Sequence, residues 1–225
     1  MKIQFSALLL SFMLVAVAPP VPAADPAPAT LLQIAGVQLR PSALAESVLV
    51  IVDAQREYTD GKLPLAGIGA AVREIDLLLK RARRAGTPVI HVVHRAQPGS
   101  PLFDPAGPYV EIVPELKPRD GETVVAKSLP NAFAGTSLEA RLAQTGRKQL
   151  IVAGFMTHMC LSATVRAALD LGYKTTVVEG ATATRDLPDG AGGIVSAVAV
   201  QKAEIAALRD RFAAIVTHAG DVAER

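Results

Sequence analysis

Ser47-Val48-Leu49-Val50-Ile51-Val52-Asp53-Ala54-Gln55 is the stretch that decides the fold. Its first six residues form a continuous apolar, mostly β-branched run without alternation. A strand of that kind is covered on both faces, as in parallel sheets flanked by helices. Downstream, Ile68, Val72, Ile75, Leu78, Leu79 and Ala82 recur at helical spacing between Gly67 and Ala85, and Gly86 and Pro88 stop that helix. Pro88 to Val93 reads as a second strand. Residues 94–121 carry six prolines and read as a long irregular loop, and loops of that length in a compact domain tend to be functional. Thr123 to Ala126 reads as a strand. Thr136 to Ala143 reads as a helix capped by Thr136, with Glu139 three residues on. Gln149 to Ala153 is a fourth strand, followed by a helix from about Met159 to Leu171 that ends at Gly172. Lys174 to Glu179, a helix near Ala197–Arg211 and a strand at Ala213–Thr217 complete the chain. Strands alternate with helices, without hairpin signals or internal repeats. The expected fold class is α/β, a mostly parallel sheet with helices on both faces.

Composition narrows the function. The 225 residues are 50% hydrophobic and 20% charged, with 23 basic and 21 acidic side chains, and the mean hydropathy is +0.33. A disordered chain is excluded, and without a basic patch nucleic acid is not expected as a partner. Lys2 is followed by the uncharged run Ile3–Ala18 and then Pro19-Pro20-Val21-Pro22-Ala23-Ala24. A positive start, an apolar middle and a small-residue exit read as a secretory signal peptide over residues 1–23, with cleavage after Ala23 or Ala24. The run is short of the roughly 20 residues that span a bilayer, so no stable membrane span is expected after cleavage. The expected location is periplasmic or secreted. Residues 24–44 are rich in Pro and Ala and read as a flexible leader; residues 45–225 form the domain. The single cysteine excludes an intramolecular disulfide, and a thiol in an oxidising compartment asks for a reason.

In parallel sheets ligands bind at the carboxyl ends of the strands, and three strand ends here carry chemistry. The first ends at Asp53, the third at Lys127. The fourth ends at Gly154, from which Phe155-Met156-Thr157-His158-Met159 leads to Cys160 at the start of a helix. Each has an ordinary reading: a turn-capping Asp, a solvated Lys, a buried structural Cys. Together they supply a base, a cation and a nucleophile on strands that could be neighbours. The helix start and a nearby Lys would favour the thiolate. The turn before Cys160 can aim backbone N–H groups at a developing oxyanion.

Three blocks carry a resemblance to a known family: Val48–Gln55, Lys127-Ser128 with Phe133–Leu138, and Val152–Tyr173 around Cys160. In order and spacing they resemble the isochorismatase-like cysteine hydrolases, which include nicotinamidases, N-carbamoylsarcosine amidases and ureidoacrylate amidases. The resemblance runs from about Ser47 to Val222. It implies a three-layer α-β-α fold with a parallel six-stranded sheet and an Asp53, Lys127 and Cys160 triad. It also implies a non-proline cis peptide at Phe155–Met156 and an oxyanion held by the backbone N–H groups of Met156 and Cys160. The implied reaction is cleavage of a small amide-like C–N bond through a thioester, and relatives suggest a homo-oligomer.

The sequence departs from the nicotinamidases. Their metal-binding Asp-x-His block corresponds here to His91-Val92-Val93-His94. Two histidines three apart on a strand point to opposite faces and cannot chelate together, so no metal is expected and His94 reads as structural or substrate-contacting; no other cofactor is expected. Gly180 stands where many relatives have Asp. Gln55, Tyr58, His94, Phe103, Phe133 and Phe155 are the candidate substrate contacts, with the aromatics expected to ring the site alongside Tyr109. Three other readings of the sequence exist. A dinucleotide site at Gly67-x-Gly69 fails because Val72 replaces the third glycine and no acidic residue closes the second strand. Ether or ester hydrolysis, and a non-catalytic ligand-binding or redox-sensing protein of the same fold, stay open.

Overall fold

The computed structural model describes residues 27–225; the signal-peptide reading of residues 1–23 lies outside them. The described chain forms the short helix α1 (Leu31–Ile34) and then β1 (Ser47–Val52), α2 (Ile68–Arg84), β2 (Val89–His94), β3 (Thr123–Lys127), α3 (Leu138–Gln144) and β4 (Gln149–Phe155). A π-turn (Thr157–Leu161) leads into α4 (Ser162–Asp170). β5 (Lys174–Ala183), the small pair β6 (Leu187–Pro188) and β7 (Ile194–Val195), α5 (Ala197–Arg211) and β8 (Ala213–Val216) follow. Six strands form one all-parallel sheet in the order β3-β2-β1-β4-β5-β8.

The uninterrupted apolar run of β1 has its explanation in the layers. Leu49 and Ile51 pack with Ile75, Leu78 and Leu79 of α2. Val48, Val50 and Val52 face the opposite core with Leu138 and Leu142 of α3, Val165 of α4 and Leu208 of α5. The result is a three-layer α-β-α sandwich. The chain moves one way from β1 through β2 to β3 and the other way from β4 through β5 to β8. The strand order therefore reverses between β1 and β4, and their carboxyl ends make the crevice where such folds place ligands.

Several local expectations are corrected. From Thr30 on, residues of the leader make specific contacts with the domain. Thr30 caps α1 in a reciprocal pair with Gln33, Leu32 is buried, and the Leu31 N–H donates to Asp210 Oδ1 at 2.8 Å. The Ser42 N–H donates to Thr176 Oγ1 at 2.8 Å. α3 starts at Leu138, not Thr136, because the Thr136 hydroxyl donates to the Ala132 carbonyl at 2.6 Å and accepts the Leu138 N–H. β6 and β7 form a two-residue antiparallel pair that carried no hairpin signal. β4 continues past Ala153 because Gly154, at φ 118°, lets the strand keep pairing with β5 through a bulge.

A further network levels the sheet beneath the site. Glu122, just before β3, accepts from Arg83 of α2 at 2.7 and 2.8 Å and from the Arg119 N–H at 2.9 Å. It also meets His91 of β2 at 3.1 Å. Burial raises the Glu122 pKa, but these partners outweigh it and bring the carboxyl down to about 2. A depressed carboxylate contributes stability above its unfolded value, and that contribution fades as pH falls toward 2. Glu122→Gln should therefore unfold at lower denaturant concentration at pH 7, with the difference from the wild type shrinking below pH 4 in urea titrations. Gly154→Ala should be the harsher change. Its Cβ would lie 2.0 Å from the Val52 carbonyl oxygen, forcing β1 and β4 apart, and strain plus overpacking make a loss of about 3 kcal/mol or more the expected reading of the same titration.

Candidate active site

Four adjacent strand ends deliver the site. From one edge inward they bring Lys127 (β3), His94 (β2), Asp53 (after β1) and Cys160 (after β4). Lys127 and His94 are direct partners in the β2–β3 register. Asp53 follows β1 with its N–H donating to the Val92 carbonyl at 2.9 Å. Its φ of 50° lies in the left-handed region, which Asp tolerates better than most residues, and this turn swings the chain off the sheet. Cys160 sits within the π-turn. The Met156 carbonyl accepts from Met159 at 3.0 Å and Leu161 at 3.3 Å, and the Cys160 N–H between them does not bond it. The peptide Phe155–Met156 is cis.

The side chains converge on one ammonium. Lys127 Nζ lies 2.7 Å from Asp53 Oδ2, 3.2 Å from Cys160 Sγ and 3.1 Å from His94 Nδ1. Asp53 and Lys127 are fully buried at their side chains, and Cys160 keeps 5% exposure. The carboxylate oxygens have no hydrogen-bond partner besides that ion-pair contact. Asp53, His94 and Cys160 offer donor atoms within 4.8 Å of one another, a set a metal could take, but the Lys127 ammonium already meets all three.

Burial sets the proton positions. It raises the Asp53 pKa, with Lys127 opposing. It pushes the Cys160 thiol up to about 12, with the Asp53 charge adding to the rise and Lys127 opposing it. The expected thiolate is thus not the resting form. Asp53 and Lys127 already neutralise each other, and a second buried anion would be unpaired. Burial and then Lys127 press His94 down to about 4, so its ring is neutral at pH 7.

The candidate substrate contacts divide. Gln55 is buried, and its amide is committed to backbone. Nε2 donates to the His94 and Val110 carbonyls at 2.9 and 2.6 Å, and Oε1 accepts the His94 N–H at 2.7 Å. Its amide protons are therefore unavailable to a substrate. Tyr58 stacks edge-on against Phe103 and Phe155, and Phe155 is fully buried in the core. Phe103 in turn meets the His94 ring edge-on at 5.0 Å. Phe133 stacks on Tyr173, and Tyr109 carries the Arg56 guanidinium over its ring. The five aromatics thus divide: Tyr58, Phe103 and Phe155, the last residue of β4, make a single wedge behind His94, and Phe133 and Tyr109 turn to other partners. Glu57 escaped the sequence reading. Buried, it accepts from the Lys62 and Phe103 N–H groups at 2.8 and 3.0 Å and so ties the long loop to the exit of β1. An acidic residue beside an apolar one gave no signal of this.

Comparison with known proteins agrees with the geometry. Residues 47–220 match the Isochorismatase domain. The secreted isochorismatase effector Isc1 of Verticillium dahliae is 38% identical over 182 residues, which is 81% of this chain and 93% of that protein. The maleamate amidohydrolase of Pseudomonas putida is 33% identical over 148 residues, covering 58% of this chain and 68% of its own. The crystal structure of an isochorismatase from Pseudomonas putida KT2440 superposes with a TM-score of 0.82 at 42% identity, covering 86% of this chain and 98% of that one. Sequence, fold and site agree: this chain is a hydrolase of the isochorismatase family.

Proposed function

We propose that the protein is an exported cysteine amidohydrolase that cleaves a C–N bond (amide, ureide or carbamoyl) of a small molecule. The observation that carries this reading is the Lys127 ammonium joined to both Asp53 and Cys160 in a buried site. As Sγ bonds the substrate carbonyl carbon, the thiol proton passes to Asp53. Charge builds on the carbonyl oxygen, where the N–H groups of Met156 and Cys160 receive it. Asp53 returns the proton to the leaving nitrogen as the C–N bond breaks, leaving a thioester. Water then gives a proton to Asp53 and attacks the thioester carbon. Collapse of that adduct breaks the C–S bond and releases the acid, and Asp53 returns its proton to the sulfur, restoring the thiol. Lys127 stays protonated throughout and holds Asp53 and the sulfur in reach of each other.

A relative named an amidohydrolase and another named a secreted effector support the two halves of this reading. Among the described residues no helix is long and apolar enough to cross a membrane. The homo-oligomer suggested by the family resemblance is part of the same proposal, and sedimentation of the purified protein tests it. Export is tested by the N-terminus of protein recovered outside the cytoplasm, expected at Ala24 or Asp25; an intact Met1 there sinks it.

Incubation with a panel of small amides, ureides and carbamoyl compounds, read by product formation, should find a substrate that wild-type protein hydrolyses. On it, Cys160→Ala should lose more than about 10⁴-fold in kcat, since nucleophile removal disables the whole unit. A folded Cys160→Ala protein with full activity would overturn the mechanism. Lys127→Ala leaves Asp53 and the sulfur without a cation, so iodoacetamide alkylation of Cys160 at pH 8 should slow at least about tenfold, one pKa unit in thiolate fraction.

A further inference from the structure

The geometry points to His94 as a fourth member of the site, a neutral acceptor that positions the Lys127 ammonium, in place of a substrate contact or metal ligand. The proposal rests on the amidohydrolase reading for its meaning, though not for its test. An ammonium has three N–H donors, and that of Lys127 has three partners: Asp53 Oδ2 at 2.7 Å, His94 Nδ1 at 3.1 Å and Cys160 Sγ at 3.2 Å. No donor is left to wander. Lys127 stands on β3 while Asp53 leaves β1, and β2 lies between them. The Lys127 side chain reaches across the end of β2 to make that contact, and His94, in register with Lys127, is the residue it passes there.

His94 is itself held on three sides. Gln55 takes both its backbone N–H and its carbonyl. The Phe103 ring meets the imidazole edge-on, and Phe103 is fixed in turn by the buried Glu57. The charged and titratable groups around the ring are Lys127 of β3, Asp53 after β1 and Cys160 of the π-turn, with Glu57 behind Phe103. Next to an ammonium, Nδ1 accepts, so the ring proton sits on Nε2. Without that acceptor the ammonium is free to turn toward Asp53, whose Oδ1 has no partner, and away from the sulfur. The thiolate then loses its counter-charge.

The test is the pH profile of Cys160 alkylation by iodoacetamide, which needs no substrate. His94→Leu should slow alkylation at least about tenfold throughout pH 7 to 9, since rate follows thiolate fraction. His94→Asn should recover most of it, because Asn Oδ1 hangs from Cγ as Nδ1 does. His94→Gln places its oxygen one bond further out and should stay impaired. On any substrate found, the loss in His94→Leu should fall on kcat with KM nearly unchanged. A folded His94→Leu protein with the wild-type alkylation profile overturns the proposal. If His94→Leu fails to fold, the Asn and Gln variants decide: equal profiles overturn it, and an Asn profile nearer the wild type supports it. If no amide is hydrolysed by wild-type protein while the alkylation effect holds, the amidohydrolase reading fails and the positioning role stands.

Discussion

The buried ion pair between Asp53 and Lys127 is the constraint around which this structure is arranged. Both side chains are removed from water, and taking two charges out of solvent costs several kcal/mol per ion unless geometry returns it. Such a pair adds little net stability compared with an apolar filling. Losing one partner is far worse, because it strands a buried charge. What the pair supplies is position. Its 2.7 Å contact holds only if strands β1 and β3 keep their spacing across β2, and much of the surrounding structure keeps that spacing. Glu122 ties β3 to β2 and α2 at one end of the strands, and Gln55 ties the exit of β1 to the end of β2 at the other.

The proposed nucleophile depends on the same frame by a different device. Cys160 reaches the pair because β4 lies directly against β1 and then breaks from the sheet in a π-turn, a feature that recurs at functional sites. Gly154 makes that closeness possible, since no side chain fits between its backbone and Val52. The strand order places this junction at the point where the chain reverses direction across the sheet. An anion, a cation and a thiol are thereby collected from β1, β3 and β4, with β2 contributing the imidazole between them.

Much of this was legible in the sequence, for physical reasons. Buried parallel strands need apolar residues on both faces, so Ser47–Val52 and Gln149–Ala153 announce themselves, and α2 does so by periodicity. Of the three candidate reactive residues, Asp53 was legible because it follows such a run directly and Lys127 because it closes a strand, whereas Cys160 lies past a turn and was legible as the single cysteine at a helix start. The interruptions were not. The bulge after Val152 depends on how β4 meets β5, and the capping of α3 depends on a carbonyl four residues back that competes for the Thr136 hydroxyl. The aromatics misled because loop position says where a side chain starts and not which way it turns. Phe133 turns to Tyr173, whereas Phe155 turns into the core. Gln55 and Glu57 look like polar loop residues and prove to be buried, with their hydrogen bonds spent on backbone. His94 was visible as a residue at a strand end, but its partner is set by the β2–β3 register, which the sequence does not print.

The proton arrangement bears on the single cysteine. Oxidants and disulfides react with the thiolate, and a thiol near 12 keeps almost none of it at neutral pH. Burial, which lowers the thiolate population, therefore also protects the sulfur. For a chain in an oxidising compartment, as proposed, that protection matters more than a standing thiolate. Reactivity is not thereby lost. In the proposed mechanism the proton passes to Asp53 and the negative charge created on the sulfur moves to the substrate oxygen, where backbone N–H groups can meet it. On the proposed mechanism, the site keeps a neutral thiol beside a neutralised ion pair and generates its nucleophile only when a carbonyl carbon is present to accept it.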